Sequence, residues 1–299
     1  MKIAITGANS SVGLSFLGNL IARGDADVVA CVRSERAAAK LPRSPRVAAR
    51  VVAYDNHDAL AAALEGIECL VHLAGILIEW PGTTYEAANV ATAEAAARAA
   101  ASAGVRHLVQ VSVVGASAPS DNRYFRTKAQ AEDAFVRSQI PATILRTPIL
   151  LGPGTAGAGA LTRVVRSGRA RLLGGGRYTM RPLDVDDLCA ALSVICRARP
   201  DGAVVHELVG PEPIEYRALV KRAARHAGVT VSVASLPIGV AKAGAWVRSR
   251  LERGGVTPTV IDVITMDEHV KQNADAALGL TLTPLDETLN KLFPSAGAR

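Results

Sequence analysis

Short apolar runs alternate with segments of helical periodicity along the first two-thirds of the chain. Uninterrupted apolar runs of about four to eight residues are typical of parallel strands that are buried on both faces. Strands that alternate with helices favour an α/β fold built on a parallel sheet. The pattern predicts strands over residues 2–6, 27–32, 50–54, 69–74, 105–112, 142–146 and 204–208.

The pattern changes at a loop of small residues, Gly152 to Gly157, after the sixth predicted strand. Because such a loop is typical of a boundary, we place the end of a core there. We therefore predict a doubly wound core over residues 1–152 and a smaller C-terminal lobe over residues 153–299. Within that lobe, residues 182–208 are predicted to return to the core as a helix and a strand.

The first strand runs directly into a glycine-containing turn, TGANSSVG, and then into a helix that starts near Val12. A strand, a glycine turn and a helix form the phosphate-binding corner of a Rossmann unit. Gly7 allows a tight turn, Gly13 allows the helix to pack closely on the strand, and the helix N-terminus offers N–H groups to a pyrophosphate. Ser10 stands where the middle glycine of this pattern is expected. It hinders close approach of the backbone to phosphate, although its hydroxyl can donate a hydrogen bond.

The residues that follow the second strand indicate which dinucleotide binds. An acidic side chain there accepts hydrogen bonds from the ribose 2′-hydroxyl of NAD, whereas an arginine accommodates the 2′-phosphate of NADP. Here Arg33 and Ser34 occupy the strand end, and Arg36 follows. We therefore predict NADP(H) as the cofactor, with NAD(H) as the alternative.

Three residues carry the predicted chemistry: Ser112 at the end of the fifth strand, and Tyr124 and Lys128 in the helix after it. A spacing of four places the phenol and the ammonium on one helix face. Because a nearby positive charge lowers the pKa of a phenol, Tyr124 is predicted to exchange a proton with a carbonyl or an alcohol. Ser112 is predicted to hydrogen-bond the same substrate oxygen.

Together with ACVRSER, VAYDNHDAL, HLAG, ILRTPILLGPG and RPLDVDDL, these motifs resemble the short-chain dehydrogenase/reductase superfamily in its extended and atypical branches. The closer resemblance is to the NAD(P)H-binding group of the complex I accessory subunit and to bacterial NAD-dependent epimerase/dehydratase-like proteins. The segment VTPTVIDVITMDEHVKQNADAALGL extends this resemblance over nearly the whole chain.

The resemblance implies a role for individual residues along the cofactor. The turn residues would face the pyrophosphate, Asp55 and Asn56 the adenine, and Lys128 the nicotinamide ribose. The full implied cofactor set is Gly7, Asn9, Ser10, Ser11, Val12, Gly13, Arg33, Ser34, Arg36, Asp55, Asn56, Leu73, Ala74, Gly75, Lys128 and Pro148.

The resemblance also implies a substrate contact at Arg181, because an arginine near this place holds the diphosphate in sugar-nucleotide members of the superfamily. The alternative is an internal ion pair with Asp184, Asp186 or Asp187.

Charge narrows the class of ligand. The formal net charge is +7, and arginines concentrate in residues 33–50 and 163–181. Aromatic residues make up only 4% of the chain and no recognition motif is present, so anionic small molecules are favoured over nucleic acid. The histidines lack ligand spacing, so no metal site is predicted.

Four scattered cysteines and a first residue that leads directly into a strand favour reduced thiols, no secretory signal and a cytoplasmic location. No apolar run reaches the roughly 18 residues that a membrane span needs. Trp246 and Val247 lie among Arg248, Arg250 and Arg253. This segment either packs in the lobe or contacts a membrane surface peripherally.

The predicted function is NADP(H)-dependent hydride transfer between nicotinamide and a carbonyl or alcohol substrate, with Tyr124 as acid/base. The alternatives are a nucleotide-sugar epimerase or dehydratase and a non-catalytic cofactor-binding scaffold or redox-sensing subunit. No motif identifies the substrate or the oligomeric state.

Overall fold

The computed structural model describes residues 1–251 and 255–294. Its strands are β1 (Lys2–Thr6), β2 (Asp27–Val32), β3 (Val47–Val51), β4 (Cys69–His72), β5 (His107–Val113), β6 (Ala142–Thr147), β7 (Leu150–Leu151), β8 (Arg169–Leu173), β9 (Thr179–Met180), β10 (Leu183–Asp184), β11 (Ala203–Glu207), β12 (Ile214–Glu215) and β13 (Ser232–Leu236). Its helices are α1 (Ser11–Arg23), α2 (Glu35–Ala38), α3 (His57–Ala63), α4 (Thr92–Ser102), α5 (Arg123–Arg137), α6 (Ala156–Arg166), α7 (Val185–Ala198), α8 (Tyr216–His226), α9 (Ile238–Leu251), α10 (Pro258–Ile264) and α11 (Leu285–Leu292). A π-helical segment, Glu86–Ala91, runs directly into α4.

Seven strands form one parallel sheet in the order β11-β6-β5-β4-β1-β2-β3. The chain order reverses between β1 and β4, since β2 and β3 lie on one side of β1 and the later strands lie on the other. In open α/β sheets, ligands bind outside the carboxyl ends of the strands at such a reversal. The predicted doubly wound Rossmann fold is confirmed, and its expected crevice lies at the ends of β1 and β4.

Two hydrophobic clusters cover the two faces of this sheet. Alternation along β1 sends Ile3 and Ile5 to the cluster that includes Phe16 of α1 and Leu188 of α7. Ala4, between them, points to the cluster on the opposite face. A third cluster joins α6, α8 and α11 in the C-terminal part of the chain.

The C-terminal part also contributes to the central sheet. Strand β11 pairs in parallel with β6, from Ala203 beside Ala142 to Glu207 beside Arg146. The division of the chain into two parts at residue 152 stays a prediction. Within the described ranges, no helix combines the length and the apolarity that crossing a bilayer requires.

Three predicted strands differ from the structure by two residues or more: the fourth ends at His72 rather than at residue 74, the fifth begins at His107 rather than at residue 105, and the third is displaced. The third strand is Val47–Val51, not residues 50–54. It is an edge strand whose side chains are mostly exposed although four of its five residues are apolar, and the buried Val52 and Tyr54 carry the apolar pattern beyond its end. The helical stretch from Glu86 begins as a π-helical segment, which buries Asn89.

Candidate active site

Gly7 occupies the turn that ends β1. Its φ angle is +72°, and a Cβ at this position would come within 2.8 Å of the Ala74 backbone nitrogen. Both constraints exclude side chains, because the left-handed region disfavours them and the neighbouring backbone leaves no room. The turn therefore brings the end of β1 directly against the residues that follow β4.

The side chain of Tyr54 holds this turn by a hydrogen bond to its backbone. The Gly7 N–H donates to the Tyr54 Oη at 2.7 Å, and that hydroxyl donates to the Cys31 carbonyl at 3.2 Å. Burial raises the pKa of Tyr54 to about 12. Sequence reasoning treated Tyr54 only as the end of a strand, because nothing in the sequence indicates that it reaches a residue 47 positions away.

The start of α1 has the form of an anion cradle. Ser10 caps the helix by accepting the Gly13 N–H at 3.0 Å, and its φ of −68° is an ordinary conformation that needs no glycine. A Cβ on Gly13 would clash with the Ala8 carbonyl oxygen. The N–H groups of Ser11 and Val12 have no acceptor within the described part of the chain. Asn9 lies in the same loop, half-buried.

These features fit a dinucleotide. Two N–H groups at a helix N-terminus and a cradle that a Cβ would fill suit a pyrophosphate. Ser10 uses its oxygen for the cap and keeps its hydroxyl proton available for a phosphate oxygen. Replacing the expected glycine therefore changes how the turn binds phosphate without distorting the turn.

The residues predicted to select the cofactor lie at the ends of β2 and β3. Arg33 and Arg36 are exposed, and neither forms a hydrogen bond or ion pair with any residue that the structure describes. Ser34 caps α2 by accepting the Ala37 N–H, and Asn56 caps α3 by accepting the Ala59 N–H. Asp55 is exposed beside it.

The residues after β4 meet the helix that carries the predicted chemistry. Leu73 and Ala74 are half-buried and lead into Gly75, where a Cβ would lie 3.0 Å from Asn89 Oδ1 and 3.9 Å from Lys128 Nζ. Asn89 is held in place because its Oδ1 accepts the Ile76 N–H at 2.8 Å. The fold thus brings Gly75 and Lys128, two of the predicted cofactor residues, close together.

Lys128 lies in a desolvated position. Its Nζ donates to the Val111 carbonyl at 3.1 Å, near the carboxyl end of β5. Burial lowers its pKa to about 8, while the charge of Glu132, one helical turn further on, acts in the opposite direction. The buried His72 is kept neutral because burial and the nearby Lys128 charge lower its pKa to about 3.

Tyr124 is half-buried on the same helix, with its ring 5.7 Å from that of Tyr85. Burial, and then the neighbouring Tyr85, raise its pKa above the ordinary value. The predicted lowering of this pKa by Lys128 is therefore wrong for the protein alone, because burial of the phenol dominates. The Tyr124 hydroxyl has no hydrogen-bond partner in residues 1–251 and 255–294, so it is available to a ligand.

The Ser112 hydroxyl is already bonded to another side chain. It donates to the Glu132 carboxylate at 2.5 Å, and Glu132 forms an ion pair with Arg146 at 2.6 Å. Ser112 and Glu132 are both buried. A contact of Ser112 with a substrate oxygen stays a prediction, and it requires this hydrogen bond to break.

The remaining predicted residues lie further along the same edge of the sheet. Pro148 is buried between β6 and β7. The Arg181 guanidinium donates to the carbonyls of Gly210 at 3.1 Å and Pro211 at 3.0 Å. The alternative of an ion pair with Asp184, Asp186 or Asp187 is wrong, since Lys291 pairs with the first two and Thr283 binds the third.

A family model described as NAD(P)H-binding matches residues 7–173. One curated relative is 4-hydroxy-2-methyl-3-oxo-4-farnesyl-3,4-dihydroquinoline-1-oxide ketoreductase of Stigmatella aurantiaca, 27% identical over 85% of this chain and 81% of that protein. Another is subunit 9 of the NADH dehydrogenase [ubiquinone] 1 alpha subcomplex of Arabidopsis thaliana, mitochondrial, 28% identical over 77% of this chain and 60% of that protein. A third is the ceramide reductase of Caulobacter vibrioides, 31% identical over 63% of this chain and 60% of that protein.

Solved structures share the fold. The UDP-glucuronic acid 4-epimerase of Bacillus cereus, in complex with UDP-glucuronic acid and NAD, superposes with a TM-score of 0.77 at 18% identity, covering 98% of each chain. The predicted resemblance to the complex I subunit group and to epimerase/dehydratase proteins is confirmed. Because the family match covers more than half of the sequence and begins at the glycine turn, this chain belongs to the NAD(P)H-binding family.

Proposed function

We propose that this protein is an NADP(H)-dependent oxidoreductase of the short-chain dehydrogenase/reductase type that interconverts a carbonyl and an alcohol, with Tyr124 as acid/base. The observation that carries the proposal is a Tyr124 hydroxyl without a hydrogen bond in the described residues, one helical turn before the buried Lys128, whose ammonium lies beside the predicted cofactor residue Gly75. Two of the curated relatives are named as reductases, which supports the same class of reaction.

The chain's own residues handle the proton. When bound, the reduced nicotinamide supplies a hydride to the carbonyl carbon. Tyr124 donates its phenolic proton to the carbonyl oxygen, the alcohol leaves, and the phenolate regains a proton from solvent. Because burial raises the pKa of Tyr124, the phenol is protonated at neutral pH, which is the form that reduction needs. Lys128, with a pKa of about 8, is mostly charged at that pH and stabilises the phenolate.

Replacing Tyr124 by phenylalanine tests this role. The ring and its contact with Tyr85 are retained and only the proton donor is lost, so turnover should fall by roughly 10²–10⁴-fold with cofactor affinity nearly unchanged. The assay is NADPH consumption against ketones, aldehydes and quinones, including ketones that carry long apolar chains. The matched control is Tyr178→Phe, since that hydroxyl is also without a hydrogen bond in the described residues but lies in the C-terminal cluster.

Two results would contradict the proposal. A parent protein that binds NADPH tightly but reduces nothing across the panel would favour the scaffold alternative. An active parent whose rate is the same in Tyr124→Phe would place the acid/base elsewhere.

The preference for NADP(H) is supported by Arg33, whose exposed guanidinium has no acidic partner in the described chain. A charge-assisted hydrogen bond to the 2′-phosphate is worth about 1.5–3 kcal/mol, which is roughly a tenfold to hundredfold preference over NADH. Fluorescence titration of both cofactors onto the parent and Arg33→Ala measures it. Equal affinities in the parent would contradict the assignment.

The epimerase alternative has weaker support. The epimerase structures are under 25% identical and establish only the fold, and the arginines of residues 163–177 are exposed. Arg181 keeps its predicted substrate role only if a diphosphate displaces its carbonyl partners. The test is whether the parent binds a nucleotide sugar and whether Arg181→Ala weakens that binding. A loss of nucleotide-sugar affinity with unchanged NADPH affinity would favour this alternative.

The four free, buried cysteines support our inference of a reducing, cytoplasmic environment.

A further inference from the structure

Helix α9 lies at the surface of the protein. None of the described positions from 238 to 250 is buried, and Val240, Trp246 and Val247 are 62%, 52% and 51% exposed. Helices in proteins owe most of their stability to an apolar face that packs against something. The exposed apolar side chains of α9 therefore indicate a partner other than the residues that the structure describes.

The charge of α9 limits what that partner is. The segment Ile238–Leu251 contains Lys242, Arg248 and Arg250 and no acidic residue. The Arg250 guanidinium lies over the Trp246 ring, 4.4 Å from its centroid. Lys242 forms an ion pair with Asp262 of α10. Arg253, which the sequence analysis grouped with these residues, lies outside the described residues.

This helix is connected to the candidate active site. It packs on α10, and α10 contacts the start of α5, where the Asn122 side chain donates to the Thr259 carbonyl at 3.1 Å. Tyr124 lies in the first turn of α5. The apolar surface of α9 and α10 therefore lies beside the helix end that carries the proposed acid/base.

A second exposed tryptophan adjoins the same helix end. Trp80 is 57% exposed in the loop of residues 76–84. Its neighbour Glu79 accepts the Tyr85 N–H and forms an ion pair with Arg123, the first residue of α5. The chain has only two tryptophans, and both lie on segments attached to this one helix end.

We propose that α9, α10 and the 76–84 loop form a rim that docks on the surface of a bilayer containing anionic lipids. Tryptophan and arginine side by side suit the boundary between headgroups and acyl chains, since the indole enters the boundary and the guanidinium binds phosphate. Ion pairs offset the carboxylates of the rim in part, since Lys242 pairs with Asp262 and Arg123 is shared between Glu79 and the adjoining Glu86. Docking turns the Tyr124 site toward the lipid, where a carbonyl substrate dissolved in the membrane has access. Only this last step depends on the proposed function.

Vesicle binding tests the docking without any turnover. Full-length protein is mixed with vesicles of phosphatidylcholine alone, or of phosphatidylcholine with phosphatidylglycerol, and is followed by co-sedimentation and by tryptophan emission. Trp80→Phe leaves Trp246 as the only reporter, and Trp246→Phe leaves Trp80. Both reporters should shift to the blue with the anionic vesicles, less so at high salt. If either reporter stays unchanged, the rim does not dock as one surface and the proposal fails.

Single substitutions on α9 should change the affinity for anionic vesicles by predictable amounts. Arg250→Gln should weaken binding about fivefold. Val247→Ala should weaken it by up to about tenfold, whereas Val205→Ala, which removes a similarly exposed valine from edge strand β11, should leave it unchanged. Equal effects of Val247→Ala and Val205→Ala would overturn the proposal. The proposal would also be overturned if the protein did not bind vesicles and instead had twice the monomer mass in solution, with Trp246→Ala restoring the monomer. The rim would then be a contact between two copies of this chain.

Discussion

Removing the Tyr54 hydroxyl tests how the glycine turn is held. In Tyr54→Phe the ring still fills its place among the buried residues next to β2, but two backbone groups lose their partner: the Gly7 N–H, bonded at 2.7 Å, and the Cys31 carbonyl, bonded at 3.2 Å. The losses are unequal. The Cys31 carbonyl keeps a longer contact with the Ala8 N–H at 3.5 Å, whereas the Gly7 N–H has no second acceptor in the described chain.

An unsatisfied buried polar group costs about 1–3 kcal/mol, so we expect the free energy of unfolding to fall by about that amount in Tyr54→Phe. Urea denaturation followed by circular dichroism measures it, and the slope should stay constant while the midpoint falls. NADPH affinity should also fall, by up to about tenfold, because the loosened turn no longer presents the phosphate cradle in one geometry.

The matched control is Tyr178→Phe. This tyrosine is also buried with a raised pKa, but its hydroxyl has no hydrogen-bond partner in the described residues, so its removal should cost little. If the two variants unfold at the same denaturant concentration and bind NADPH equally well, Tyr54 does not support the turn and the reasoning is refuted.

Three further outcomes follow from single sites. Gly7→Ala should abolish NADPH binding and lower the stability of the protein. The control is Gly24→Ala, which has a similar φ of +66° but no atom within 4 Å of the added Cβ, so it should cost only the conformational strain of about 1–2 kcal/mol. Equal NADPH titration curves and equal melting of the two variants would contradict the steric argument. Glu132→Gln should lower the free energy of unfolding by up to about 3–5 kcal/mol, because Arg146 then loses its bonded carboxylate and keeps only the more distant charge of Glu207; a loss under 1 kcal/mol in urea denaturation would argue against it. His72 has a pKa of about 3 in the folded protein and an ordinary value of 6.5 when unfolded, so it should stabilise the protein above pH 6.5 and lose that contribution as the pH falls toward 3. The free energy of unfolding, measured from pH 7 to pH 4, should therefore fall less steeply in His72→Asn than in the parent. An unchanged slope would refute the assignment.

The sequence alone determined the fold class and the position of the cofactor crevice. Buried parallel strands are continuous apolar runs, and the glycine turn after β1 obeys a local backbone rule, so both can be recognised without knowing any tertiary contact. The i, i+4 spacing likewise places Tyr124 and Lys128 on one helix face wherever that helix packs. Edge strand β3 was misplaced because its exposed apolar residues and the buried Val52 and Tyr54 after it form one apolar stretch, which does not show where the strand ends.

Only the tertiary structure decided what each polar group is bonded to. Ser112 ends its strand as predicted, yet its hydroxyl is bonded to Glu132, and Tyr54 reaches across two strands to the Gly7 turn. The pKa of Tyr124 is raised because the fold desolvates the phenol and places Tyr85 beside it. Such partners are set by distances between residues that are far apart in the sequence, and burial changes the free energy of a charge by more than local sequence can indicate.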